Sequence, residues 1–561
     1  MKKLTSLALL LMLALSHMSA QDVIRIEYKG TTATVNVPSS ITNVVSSVNG
    51  ANVTITSKTT DKEYTYQVKG NSTDGSLTIN GDYKLTLQLA GVTLTNAHGG
   101  AAIDIECGKR IEVELVEGTT NTLCDAATGS QKAAFYIDGH AEFKGGGILN
   151  VSGRTKHAIR AKEYLELKSS TGTINVLEAV SDGIHCGKGK VNNEHNYFLM
   201  KGGIVNITNI GGDGIDSDDY GVVRIEGGSL SVNIKDDASG LKADSTVTIK
   251  DGTINISVKG EDSKGIRANH TVNIMGGKTT IVVEGDGSKG IKAKKYESGS
   301  TVLNGGFLNI SGGELSVQCT GGNLPDGTEF TKCVAVSVDA NLKQTAGDVD
   351  ITVTGPDAMA YTVDGSDTHT NGTFVIRQIP WEVLTSGYQY DMTVYIAVSD
   401  DGERLANFDN VAIGAFIGDE CVGYGIYEKD GYGVIRIRSN DSSAQPVTFK
   451  LYRFSDQSEI VLTPSKNVTF QNSSSVGEPS NPIVLSSKEK LEGDANEDGE
   501  VAASDIVAIA NYMMGKSSSK NINVADKKTL GLIKKVFRQL CFLNGVNPEI
   551  MAGLNDRSIL G

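Results

Sequence analysis

Four consecutive stretches of the chain repeat one pattern. They read "GGIVNITNIGGDGIDSDDYGVVRIE", "GGSLSVNIKDDASGLKADSTVTIK", "DGTINISVKGEDSKGIRANHTVNIM" and "GGKTTIVVEGDGSKGIKAKKY". Their second residues, Gly203, Gly228, Gly252 and Gly277, are 25, 24 and 25 residues apart. A second ruler is the apolar residue after a later glycine: Ile184, Ile215, Leu241, Ile266 and Ile291. Self-similarity at a fixed period of this size means stacked units, none of which can bury its apolar face alone.

The side-chain pattern inside each unit excludes helical repeats. Two, four and six residues past the marking glycine come Val205, Ile207 and Asn209, then Leu230, Val232 and Ile234. The next units have Ile254, Ile256 and Val258, then Thr279, Ile281 and Val283. Apolar residues at every second position mark strands with one buried face. A second alternating pair follows each later glycine, such as Val247 with Ile249 and Val272 with Ile274. Each repeat therefore reads as one coil of two or three short strands, and the stack as a right-handed parallel β-helix solenoid. The pattern continues in weaker form on both sides and places the solenoid at residues 22–370. The abundance of glycine (65 residues) and scarcity of proline (9 residues) suit many short strands joined by tight turns.

Equivalent positions of successive coils lie ~4.8 Å apart, so a column of equivalent residues forms a linear array. Aligned on the Gly-Ile step, one column reads His185, Asp216, Lys242, Arg267 and Lys292, turning from acidic to basic along the axis. Around its acidic end, "GGDGIDSDDYG" packs Asp213, Asp216, Asp218 and Asp219 into one short segment. Several close carboxylates are the hard oxygen donors that calcium takes, and without a cation their repulsion is costly. The plainer alternative is that Asp and Gly are ordinary turn formers. The basic column reads either as a solubilising face or as a groove for a polyanion. A net charge of −14 argues against nucleic acid. Aromatic residues make up only 6% of the chain and its one tryptophan, Trp381, lies beyond the repeats, which disfavours a site that stacks neutral sugars.

The opening "IRIEYKGTTATVNVP", the run "ANVTITSKTTDKEYTYQVKGNSTDGSLTINGDYKLTLQLAGVTLTN", and then "GTTNTL", "KHAIRAKEYLEL", "SDGIHC" and "GGDGIDSDDY" resemble the secreted bacterial carbohydrate-binding β-helix family. That family is similar in shape to the polysaccharide lyases of family nine. The resemblance covers roughly residues 24–320. It implies calcium-assisted binding of an acidic plant polysaccharide such as polygalacturonate, with cellulose as a further candidate. By position it carries the metal ligands onto Asp182, Asp213, Asp216 and Asp218. The column itself offers His185, Lys242, Arg267 and Lys292 as the residues to hold sugar carboxylates. The resembled family consists chiefly of binders, so a non-catalytic protein is expected. The alternative is a pectate-lyase-like enzyme, in which calcium neutralises a uronate carboxylate and Lys242, Lys292 or Arg267 serves as base. A second alternative is a structural or adhesin-type surface protein.

Outside the repeats, residues 371–485 hold alternating strands with turn signals and read as a β-sandwich. Then "GDANEDGEVAASDIVAIANYMMG" places Asp494, Asn496 and Asp498 at loop positions 1, 3 and 5, with Glu500 at 7 and Asp505 at 12. This EF-hand spacing calls for calcium and resembles a dockerin type I repeat. The resemblance implies a cohesin-like partner, but no second such loop follows. An α-helical, EF-hand-like module is expected over residues 491–545, with a tail at 546–561. At the other end, "MKKLTSLALLLMLALSHMSA" reads as a signal peptide over residues 1–20, so an exported protein is expected. Of the seven scattered cysteines, Cys319 and Cys333 are the candidates for pairing in an oxidising compartment.

Overall fold

The computed structural model describes residues 23–187, 196–235, 237–298, 301–326, 329–355, 357–381, 388–429 and 431–487. The chain divides into two compact units, one ending at Gln378 and the other beginning at Ile379.

In the first unit, alternation dictates strands, and the strands pair with their equivalents one coil later. Val222–Ile234 runs parallel to Thr246–Val258, which in turn pairs with Thr271–Ile274 and Lys278–Val283. Two large sheets result, one of 20 strands and one of 13. In the smaller sheet, Ile159, Ile184, Ile215, Leu241, Ile266, Ile291 and Val336 stand directly over one another in register. All are buried. Withdrawing each from water contributes roughly 1.5–3 kcal/mol, set against the chain entropy lost on folding. The larger sheet supplies the facing column Val205, Leu230, Ile254, Thr279, Leu315 and Val349.

The glycines that mark the repeat have two separate causes. Gly252 sits at φ +105°, and a Cβ there would come within 2.9 Å of the Gly228 carbonyl oxygen in the coil before. Gly240 needs no special dihedral. A Cβ on it would lie 2.6 Å from both the Gly265 carbonyl oxygen and Ile256 Cγ2, so the coil and the opposite sheet could not close to packing distance.

Antiparallel hairpins, Val23–Lys29 with Thr32–Asn36 and Val44–Asn49 with Asn52–Ser57, begin the two sheets. Two further hairpins interrupt the coils, at Lys295–Ser298 with Thr301–Gly305 and at Leu324–Asp326 with Glu329–Thr331. Cys319 and Cys333 bring their sulfurs to 2.9 Å as free thiols.

In the second unit the strands form a ladder that closes on itself. Tyr390–Asp400 pairs with Tyr432–Ser439, which pairs with Glu420–Lys429, then Val411–Ile417, Gln445–Arg453, Glu459–Pro464 and Ile483–Ser486. Ile483–Ser486 then pairs back onto Tyr390–Asp400. Met392, Val394, Ile396, Ile435, Phe449 and Leu485 fill the interior.

The fold class expected from the sequence, a β-helix followed by a β-sandwich and an α-helical module, is corrected on these grounds. Every regular element among the described residues is a strand and none is a helix. The second unit is a closed ring of strands, not an open two-sheet sandwich, because pairing at both edges of Tyr390–Asp400 leaves no free edge. The expected EF-hand-like segment at 491–545, the tail at 546–561 and the leader at 1–20 lie outside the described residues.

Candidate functional site

The column inferred from the repeat is present in the strand register. Asp104, Tyr136, Arg160, His185, Asp216, Lys242, Arg267 and Lys292 follow one another across adjacent strands of the smaller sheet. Because side chains alternate along a strand, this row points away from the aliphatic interior. Its steps are those of paired strands, about 4.8 Å.

Where the row turns from histidine to aspartate, the side chains converge. His185 Nδ1 lies 2.9 Å from Asp182 Oδ2 and 3.3 Å from Asp216 Oδ2, and His185 Nε2 lies 3.5 Å from Asp218 Oδ2. Lys242 Nζ is 3.0 Å from Asp213 Oδ2, 3.2 Å from Asp216 Oδ2 and 4.0 Å from Asp218 Oδ1. His157, one coil earlier, brings its Nδ1 to 3.0 Å from Asp182 Oδ2 and stacks its ring on His185 at 4.4 Å. Asp182, His185, Asp216 and His157 are all buried.

Burial and pairing compete throughout this cluster. Burial disfavours the charged form of Asp182, yet close contact with His157 and the hydrogen bond with His185 hold its carboxyl well below the usual range. Burial likewise opposes a charged His185, but its bonds to Asp182 and Asp216 push it up to about 9. His157 moves the other way, because burial outweighs its contact with Asp182. Burial and the neighbouring Asp216 raise Asp218 to about 6. Burial and the carboxylates of Asp216 and Asp182 raise Asp213 despite Lys242. Lys242 is held cationic, since Asp213 and Asp216 outweigh its burial.

Two of the aspartates also hold the coils together. Asp182 Oδ1 accepts the Asp213 N–H at 3.0 Å, and Asp213 Oδ1 accepts the Ser239 N–H at 2.7 Å. Asp219 stands apart, exposed, in the turn that leaves the cluster. Of the basic residues, Lys242 is engaged by carboxylates and Lys292 is held by Asp339, with Ser337 Oγ at 3.1 Å. Among the described residues Arg267, between them in the row, makes no ion pair. Sequence reading missed His157. Superposing "HAI" on "DGI" would have put it in the column of Asp182 and Asp213, where the strand pairing places it. The five loop residues Asp494, Asn496, Asp498, Glu500 and Asp505 lie outside the described residues.

Donor atoms of Asp182, Asp213 and Asp216 lie within 4.8 Å of one another, an all-oxygen set of the type calcium takes. Asp216 Oδ1 is buried with no hydrogen-bond partner, and that orphaned acceptor fits a cation. For an ion to share Asp213 and Asp216, the Lys242 ammonium has to swing outward. Farther along the row, a cavity of about 430 Å³ is lined by His98, Asp104, Glu106, Gln131, Lys132 and Tyr136.

Residues 49–264 match the family described as "Carbohydrate-binding domain-containing protein", which supports a carbohydrate-binding domain over this stretch. The matched residues include the whole Asp182–Lys242 cluster and end before Arg267 and Lys292. A solved structure described as "Structure of the polysaccharide lyase-like protein from C. thermocellum, Gadolinium derivative" is 18% identical. The likeness covers 62% of this chain and 98% of that one, at a TM-score of 0.27. No curated protein matches the chain. No helix among the described residues is long and apolar enough to cross a membrane.

Proposed function

We propose that the protein is exported and binds an acidic, polygalacturonate-type polysaccharide along the outward row of the smaller sheet, without cleaving it. The observation that carries this reading is the register itself. Arg160, His185, Asp216, Lys242, Arg267 and Lys292 stand in one straight line at strand spacing, a geometry suited to a linear polymer. Arg267 offers its guanidinium to a sugar carboxylate, a bidentate pairing that a lysine cannot make. On the other side of the aspartates Arg160 and His185 are buried, and His185 is engaged by Asp182 and Asp216, so the accessible cationic part of the row begins at Lys242.

Calcium is part of this proposal. Asp182, Asp213, Asp216 and Asp218 would hold it, and when bound it would neutralise their charge and leave coordination positions for a uronate oxygen. The chain's own contribution is to keep those carboxylates fixed, through the Asp182–Asp213 and Asp213–Ser239 bonds to the backbone. Without an ion, Lys242 is paired with two carboxylates and is a poor proton acceptor. Calcium that displaced its ammonium would lift that restraint, so the absorbance of unsaturated products is what separates binder from lyase.

The test is to mix the full chain with immobilised polygalacturonate, with calcium or with a chelator. Retention lost on chelation, with no rise in ultraviolet absorbance from unsaturated products, is the expected result. Absorbance would establish a lyase instead, and failure to bind would refute the reading.

A further inference from the structure

The sequence disfavours aromatic stacking, yet the fold brings two tyrosines together at the rim of the charged row. Tyr220 and Tyr296 have ring centroids 5.4 Å apart at 35°. Tyr220 follows the aspartate cluster directly and is 44% exposed. Tyr296 is carried in by the hairpin strand Lys295–Ser298, which interrupts the coil between Ala293 and Phe307.

The turn that presents Tyr220 is unusual. The Gly221 N–H donates to the Asp218 carbonyl at 3.0 Å, and the two residues between, Asp219 and Tyr220, have φ of +55° and +61°. Consecutive left-handed residues favour Gly and Asn, and a bulky aromatic there is disfavoured. Surrounding contacts hold the turn in place. The Asp219 N–H donates to Asp244 Oδ2 at 3.0 Å, and Asn196 Nδ2 donates to the Asp219 carbonyl at 2.9 Å. Asp244 lies two residues past Lys242, and Asp218, two before Tyr220, lies 4.0 Å from the Lys242 ammonium. A large ring exposed at a strained position beside a charged row gives little to the fold, and such strain gathers at binding sites.

We propose that Tyr220 and Tyr296 form an aromatic platform for a pyranose ring, seated next to the charged row so that ring and carboxylate of one acidic sugar are read separately. This inference rests on the polyanion reading above and adds to it a contact that salt does not screen. Stacking engages the apolar C–H face of the sugar with the ring faces of the tyrosines, whereas ion pairing weakens as ionic strength rises.

The experiment titrates the full chain with an oligogalacturonate at low and at high salt, in calcium, and repeats it with Tyr220→Gly and Tyr296→Ala. Tyr220→Gly relieves the strained turn, so its melting temperature should equal or exceed that of the unchanged chain, and a binding loss cannot be laid to misfolding. Each substitution should weaken binding by about 5- to 10-fold at both salt concentrations, the size of a lost aromatic contact. Tyr296→Phe should restore most of it. Binding at full strength in both Tyr220→Gly and Tyr296→Ala would overturn the platform and leave the polyanion reading standing. No binding by the unchanged chain would overturn both.

Discussion

Asp216 and Lys242 stand opposite each other in adjacent strands, and the Lys242 ammonium lies 3.2 Å from the Asp216 carboxylate and 3.0 Å from that of Asp213. The chain thus supplies one means of charge balance for the crowded aspartates, and the proposed calcium would supply a second. Lys242→Met removes the first while keeping the volume. Leaving carboxylates of a largely buried cluster unpaired should cost about 3 kcal/mol in the presence of a chelator. Calcium should return part of that loss, and should raise the melting temperature of Lys242→Met more than that of the unchanged chain. Thermal unfolding of both proteins with calcium and with chelator measures this. Equal responses would remove calcium from the site.

Arg267 and Lys292 occupy successive places in the row but differ in availability, because Lys292 is already held by Asp339. Arg267→Ala should weaken polygalacturonate binding by about 5- to 20-fold at low salt, in the range of a charge-assisted contact, and should flatten the salt dependence. Lys292→Ala should cost at most about 3-fold, since the exchange of one partner for another gains little. Equilibrium binding across a salt series separates them, and equal losses would contradict the assigned roles.

The stack was legible because each of its rules is local. Alternation names the inward residues, and the repeated glycines name the places where coils touch, so the row from His185 to Lys292 could be written out in advance. What was illegible depends on where side chains end. That Lys242 fills the space among the aspartates, and that His157 and His185 stack, follows from rotamers in four successive coils. The pairing of Tyr220 with Tyr296 depends on an inserted hairpin that breaks the period. Closure of the second unit was hidden for a related reason, because a sandwich and a closed ring of strands have the same alternating pattern. Only the pairing of Ile483–Ser486 with Tyr390–Asp400 tells them apart.

Asp104, in the cavity along the same row, gives a pH-dependent test. Burial, reinforced by Glu106, raises its carboxyl to about 6 from an ordinary 3.8. The folded state therefore binds this proton more tightly than the unfolded state. Stability attributed to the protonated group is present below about pH 4 and is lost as pH climbs through about 6. Asp104→Asn removes the cost of the buried charge. The variant should match the unchanged chain near pH 3.5 and exceed it by about 1–2 kcal/mol at pH 7, a figure reduced for the partial exposure of the site. Denaturant melts at the two pH values give the comparison. A gain of the same size at both would mean that packing, not ionisation, is responsible.

Thr279 tests the packing logic of the stack itself. It interrupts the aliphatic column Val205, Leu230, Ile254, Leu315 and Val349, paired in register with Ile254 on one side and Leu315 on the other. It is fully buried, and its Oγ1 has no hydrogen-bond partner. A hydroxyl in that position loses water and gains nothing in return, at a cost of about 1–3 kcal/mol. Valine has nearly the same shape, so Thr279→Val exchanges the stranded oxygen for a methyl group without enlarging the side chain. The substitution should stabilise the protein by about 1–2 kcal/mol, whereas Ile254→Ala, one coil earlier, should destabilise it by about 2–5 kcal/mol through the cavity it leaves. Thermal or denaturant unfolding of the two variants is the measurement. A destabilising Thr279→Val would mean that the hydroxyl has a partner inside the stack, and that this column is not a dry aliphatic ladder.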